Sequence, residues 1–183
     1  TAKLRLLNGA HSALAYLGLQ AGHSYVHEAI ADPAVRSIVE QLMRAEALTT
    51  LPVVAGTDWG AYCDALIARF ENHRLHHNLA QIATDGSQKI PQRWLASLSD
   101  GAAVGRSFPA TLTALGAWIA FVRGDRWPVA DPLADELAAL WRQAGIEGIV
   151  SALFGPAGRF SAAWTASDRD HTLLDTAVLR FAS

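Results

Sequence analysis

A single cysteine, Cys63, in 183 residues leaves nothing to form an internal disulfide and no multi-cysteine zinc site. Charge is scarce too: 17% of the residues are charged and the net charge is −2. With a pI of about 6.3, the chain lacks the basic footprint of a general nucleic-acid binder. No apolar run reaches the roughly 20 residues that span a bilayer. The longest uncharged one, Ser107 to Val122, is flanked by Arg106 and Arg123 and reads as a buried core helix. A charged segment followed by a short apolar stretch and a cleavage site is missing, so no signal peptide is expected. The only methionine is Met43, and a helical pattern is already running by Lys3. The expectation is a piece of a longer protein that continues on the N-terminal side. Also missing are alternating β-branched runs, a HEXXH metal motif and a glycine-rich dinucleotide turn, since Gly155 and Gly158 follow no strand.

What remains is helical. Apolar residues make up 51% of the chain, and the mean hydropathy of +0.15 excludes a disordered segment. The length suits one compact domain over residues 1–183, expected to be all-α with about eight to ten helices. Residues 2–21 carry Leu4, Leu7, Ala10, Leu14 and Leu17 at helical spacing, with Gly22 as the stop. Ser24 is expected to cap a short helix ending near Asp32. Asp32-Pro33 and Asp131-Pro132 each pair a cap with a proline suited to a first helical position. They open helices to about Thr49 and over 133–144. Thr57 or Asp58 starts another, and Pro109 opens 110–122. A stretch from about His76 to Thr84 reads as helical, Asp85 to Pro91 as a loop, Gln92 to about Leu98 as helix again, and His171 to Phe181 as the last helix. The six tryptophans read mostly as core.

Three polar groups could carry chemistry. Lys3, Asn8 and His11 share a broad face of the first helix, at about 140° and 80° from Lys3 on α-helical spacing. A desolvated lysine can act as a base, an asparagine amide can donate to a developing oxyanion, and a histidine can do either. Spacing alone equally fits a solvated lysine, a surface asparagine and a satisfied core histidine. His73, His76 and His77 stand three and four apart, as a metal site on one helix face would need, and His23 and His27 are also four apart. No carboxylate completes a signature, so no metal is expected. Gln81, Asp85, Ser87 and Lys89 make a dense polar group among Leu79, Ile82, Ile90 and Trp94. Asp85 and Ser87 serve there either turn chemistry or a cleft.

The string KLRLLNGAHSALAYLGLQAG (residues 3–22) resembles the start of the C-terminal domain of the polyol-specific long-chain dehydrogenases, the mannitol dehydrogenase family. RLHHNLAQIATDGSQKIPQRWL (74–95) agrees, and LGAWIAFVRG (115–124) with ADPL (130–133) agrees more weakly. The resemblance implies a partner N-terminal Rossmann domain that binds NAD or NADP, and a cytoplasmic, metal-free enzyme. It implies reversible hydride transfer at a secondary alcohol or ketone of a sugar derivative. It would make Lys3 the general base, Asn8 an oxyanion donor, and His11 and Lys89 binders of substrate. Gln81 and Asp85 are counted with Lys89 as substrate-binding candidates. Where the mannitol 2-dehydrogenases carry an arginine, this chain has Gln81. Together with AQIATDGSQKIPQR, that resembles the fructuronate reductase (mannonate oxidoreductase) branch, favours a hexuronate over mannitol or arabinitol, and removes one cation from the site. A helical binding domain without catalysis is the alternative from another class. No nucleic-acid or membrane partner is expected.

Overall fold

The computed structural model describes residues 1–183. Ten α-helices carry the chain, and the one β-type contact is an isolated antiparallel bridge between Tyr25 and Asn78. The all-α expectation holds. No helix is long and apolar enough to cross a membrane.

The chain enters through a π-helical segment, Lys3–Asn8, that runs directly into α1 (Gly9–Gln20). Every α1 residue from Ser12 to Leu19 is buried. α2 (Val26–Ala31) begins one residue later than expected, after Tyr25, and the Glu28 carboxylate accepts from the N–H groups of Ser24 and Tyr25. α3 (Pro33–Gln41) starts where the Asp32 carboxylate accepts from the Ala34 N–H. It continues through a π segment, Leu42–Glu46, and a 3-10 turn, Ala47–Thr50. Asp58 caps α4 (Trp59–Glu71) by accepting from the Ala61 N–H.

Two expectations fail next. The stretch from His76 is not helical until α5 (Leu79–Ile82), because the backbone at 77–79 pairs instead with 24–26: Val26 N–H donates to His77 O and Leu79 N–H to Ser24 O. The segment Asp85 to Pro91 is not a loop. Asp85 takes the left-handed conformation at φ 57°, and α6 (Gly86–Ile90) begins at once. A π segment, Pro91–Leu95, and α7 (Ala96–Ala103) follow without interruption. Glycine and proline here sit at a helix start and a segment junction, where both are tolerated.

α8 (Pro109–Phe121) is the central element, with eleven of its thirteen residues buried. It packs against α1 and α10 (Asp168–Ala182). At Gly116 a Cβ would meet the Ala177 Cβ at 2.4 Å, so the close α8–α10 approach requires glycine. The N-terminus of α8 is served from outside its own segment: Glu46, 3% exposed, accepts from the N–H groups of Ala110 and Thr111 and from the Thr111 hydroxyl. α9 (Ala134–Phe154) outruns its expected end at 144. Gly145 breaks the helical dihedrals at φ 67°, yet the chain resumes its helix to Phe154. Trp94, Trp118, Trp141 and Trp164 are buried in the single core.

Candidate active site

The π segment decides how the first polar group is arranged. The Gly9 N–H donates to Leu4 O, five residues back. A π turn holds one residue more than an α turn. Positions 3, 8 and 11 therefore behave as i, i+4 and i+7 of an uninterrupted helix, which form one face. The wide spread expected from α-helical geometry is corrected to a single stripe. Lys3 is exposed and makes no hydrogen bond or ion pair, while Asn8 and His11 are half-buried.

His11 lies under a roof of aromatic and cationic groups. Its ring stacks on Phe70 at 5.4 Å and meets His77 edge-on at 5.8 Å. Burial pushes its pKa down to about 4, and His77, Arg93, Arg69 and Lys89 add to the effect. His11 is thus a neutral imidazole at ordinary pH, free to donate from one nitrogen and accept at the other.

Lys89 and Arg93 approach this stripe from the segment Gly86–Leu95. The Lys89 ammonium donates to Ile82 O at 3.4 Å, and burial lowers its pKa, helped by Arg93 and opposed by Asp85. Arg93 Nη1 donates to Asn8 O at 3.3 Å and to Ser12 Oγ at 2.8 Å. Trp94 Nε1 donates to Gly9 O at 3.1 Å. These three bonds bolt the Lys89-bearing segment to the helix that carries Asn8 and His11. Arg93 was not singled out from the sequence, although it stands four residues after Lys89 inside the same string. That helical spacing was the available signal.

The segment is fixed at its other end by the loop before α9. Asp85 N–H donates to Ala130 O at 2.9 Å. Asp131 accepts from the Ser87 N–H at 2.8 Å, from the Ser87 hydroxyl at 2.5 Å and from the Leu133 N–H at 2.8 Å. Gly86 is held so closely that a Cβ would stand 2.5 Å from the Tyr16 hydroxyl and 2.6 Å from Trp118 Nε1. Ser87 therefore serves structure. Asp85 is exposed at its left-handed turn, within charge range of Lys89. Gln81 is exposed on α5, and its side chain has no hydrogen bond to the stripe.

The histidine cluster does not assemble. His73, His76 and His77 lie on a non-helical connection and diverge: His77 meets His11, while His76 meets Tyr25 at 5.5 Å and His27 at 6.2 Å. His23 pairs with Asp32 at 2.9 Å, and no three His, Cys, Asp or Glu side chains gather as a ligand set.

The fold and this face define a class: an all-α domain built round one buried helix, with an open polar stripe bordered by cations. The chain belongs to the mannitol dehydrogenase C-terminal domain family, whose model matches residues 1–155. Mannitol 2-dehydrogenase of Aspergillus fumigatus is 40% identical over 148 residues, 78% of this chain and 30% of that protein. D-mannonate oxidoreductase of Escherichia coli is 37% identical over 164 residues, 87% of this chain and 34% of that protein. The structure of Pseudomonas fluorescens mannitol 2-dehydrogenase in ternary complex with NAD and D-mannitol is similar at a TM-score of 0.83 and 26% identity, over 99% of this chain and 37% of that one. A substrate-free D-sorbitol dehydrogenase shares the fold at a TM-score of 0.76 and 23% identity. The chain thus spans about a third of the relatives it matches.

Proposed function

We propose that residues 1–183 are the substrate-binding and catalytic domain of a nicotinamide-dependent oxidoreductase that interconverts a secondary alcohol and its ketone. The observation that carries this reading is the π segment's alignment of Lys3, Asn8 and His11 on one stripe opposite Lys89. The dinucleotide finds no cradle in these residues, which offer neither a strand nor a glycine-rich turn after one. Its binding is assigned to an N-terminal domain outside this chain, and the exposed Lys3 leaves one side of the stripe open to it. A bound NAD or NADP supplies the hydride acceptor in oxidation and the donor in reduction.

The chain's own residues handle the proton and the orientation. Lys3 takes the proton of the substrate hydroxyl in oxidation and returns it in reduction. The Asn8 amide donates to the same oxygen as charge develops on it. Neutral His11 bonds a neighbouring hydroxyl, and Lys89 donates to a further substrate oxygen.

The substrate reading is a sugar acid, the D-mannonate/D-fructuronate pair. Arg69, Lys89 and Arg93 bear on His11 as positive neighbours, and Gln81 stands outside this group. A mannitol or arabinitol 2-dehydrogenase is the second reading, favoured by the name of the Aspergillus relative. Steady-state assays of the full-length protein with NADH or NADPH against fructuronate, tagaturonate and fructose decide between them. The expected result is a higher kcat/KM for a hexuronate; a higher value for fructose leaves the polyol reading standing.

A further inference from the structure

Arg93 is a half-buried guanidinium without a carboxylate. Arg5, Arg36, Arg44, Arg123 and Arg159 each have an acidic oxygen within 3.5 Å. Arg93 has only neutral acceptors, the Asn8 carbonyl and the Ser12 hydroxyl, and Nη1 makes both bonds. Its Nε and Nη2 donors, which share one edge of the fork, have no protein partner. It raises the cost of charge on both His11 and Lys89. The nearby acid is Asp85, which is exposed and bears on Lys89. Asp131 is committed to Ser87 and Leu133.

A cation drawn partly out of water without an anion is unfavourable by itself. Two free N–H donors on one edge match the two oxygens of a carboxylate in bidentate geometry. The same guanidinium is fixed to the backbone of Asn8, so an anion held on its free edge is fixed relative to the stripe. Gln81, neutral and exposed, supplies no such charge.

We propose that Arg93 holds the carboxylate of a sugar-acid substrate through its Nε–Nη2 edge, beside Lys89, and so sets the preference for acids over neutral ketoses. This rests on the reading of these residues as the substrate face of an oxidoreductase for sugar acids.

The test is steady-state kinetics of the full-length enzyme with a hexuronate and with fructose, for wild type, R93Q and R93K. R93Q raises KM for the acid and lowers the acid-to-ketose ratio of kcat/KM about 10- to 100-fold, the scale of a hydrogen bond to a charged group. R93K lowers the same ratio by less, because it keeps the charge and loses the fork. It also keeps the test decisive where R93Q does not fold. An equal loss for both substrates, or an unchanged ratio in a folded variant, overturns the role of Arg93. A wild-type enzyme that prefers fructose overturns the sugar-acid reading itself, and the assignment of Arg93 with it.

Discussion

Ser87 and Asp131, 44 residues apart in sequence, are joined twice: the serine N–H and hydroxyl donate to separate oxygens of one carboxylate. Asp131 also accepts from the Leu133 N–H, so one side chain ties the start of α6 to the turn that opens α9. D131A leaves those three donors without their acceptor. The expected cost is about 1.5–3 kcal/mol, the range for hydrogen bonds to a charged group. Thermal or denaturant unfolding measures it, and D131N should lose less. An unchanged unfolding midpoint in D131A would show that the tie carries no stability.

Lys3 separates chemistry from folding, because its side chain is exposed and bonded to nothing. In the full-length enzyme K3A should lose roughly 10²- to 10⁴-fold in kcat, the usual worth of one positioned acid or base. Its melting temperature should stay at the wild-type value. Added primary amines should restore part of the rate to K3A. N8A should also be slow and gain nothing from amines. Near-normal kcat in K3A removes Lys3 from the base role.

His11 predicts a pH dependence. Its folded-state pKa of about 4 lies below the ordinary histidine value of 6.5, through burial first and then His77, Arg93, Arg69 and Lys89. The folded state therefore resists the protonation that the unfolded chain accepts. The His11 contribution is fully present above about pH 6.5, and it is lost as pH falls from there through about 4. H11Q, which cannot titrate, should show a shallower loss of stability than wild type across that window. Parallel stability curves for the two proteins would contradict this.

Gly86 and Asp85 are expected to respond in opposite directions. G86A forces a Cβ onto the Tyr16 hydroxyl and Trp118 Nε1, and overpacking of this kind costs about 1–3 kcal/mol. D85G replaces a residue at φ 57° with the one that takes this conformation freely. It should unfold at or slightly above the wild-type midpoint. If Asp85 also touches substrate, D85G will lose activity while keeping that stability, a split that melting and kinetics together detect.

The caps at Asp32 and Asp58 were legible because each is a local chemical event, whereas Ser24 and Asp131 do not cap α2 and α9, which start from Tyr25 and Leu133. Asp32 and Asp58 accept from the first-turn N–H groups that their sequence position implied. The π segments had no such signature, since Lys3–Asn8 and Pro91–Leu95 contain ordinary helix residues and differ only in how many fit one turn. The residue types of the stripe were therefore readable, and its alignment was not. The helical placement of His76 and His77 fails for a different reason. Helical spacing assumes a helix, and here the backbone is claimed by pairing with residues 24–26. Gly86 and Pro91 read as loop punctuation in the sequence, yet tertiary bonds from Ala130 and Asp131 set the start of α6. Arg93 needed the fold, because what distinguishes it is the lack of a carboxylate at a half-buried guanidinium, whereas the other unpaired arginines are exposed.

The π turn between Lys3 and Asn8 makes the site sensitive to how the backbone is wound rather than to side-chain chemistry. Rewinding those residues as an α-helix, with no residue lost, would leave composition, helicity and the buried face of α1 nearly as they are. It would nevertheless swing Lys3 by about 100° around the helix axis. A single-residue deletion inside the turn would cancel that swing, because Lys3, Asn8 and His11 would then stand at i, i+4 and i+7 of a plain α-helix, so a relative one residue shorter at this point keeps the stripe without the π turn.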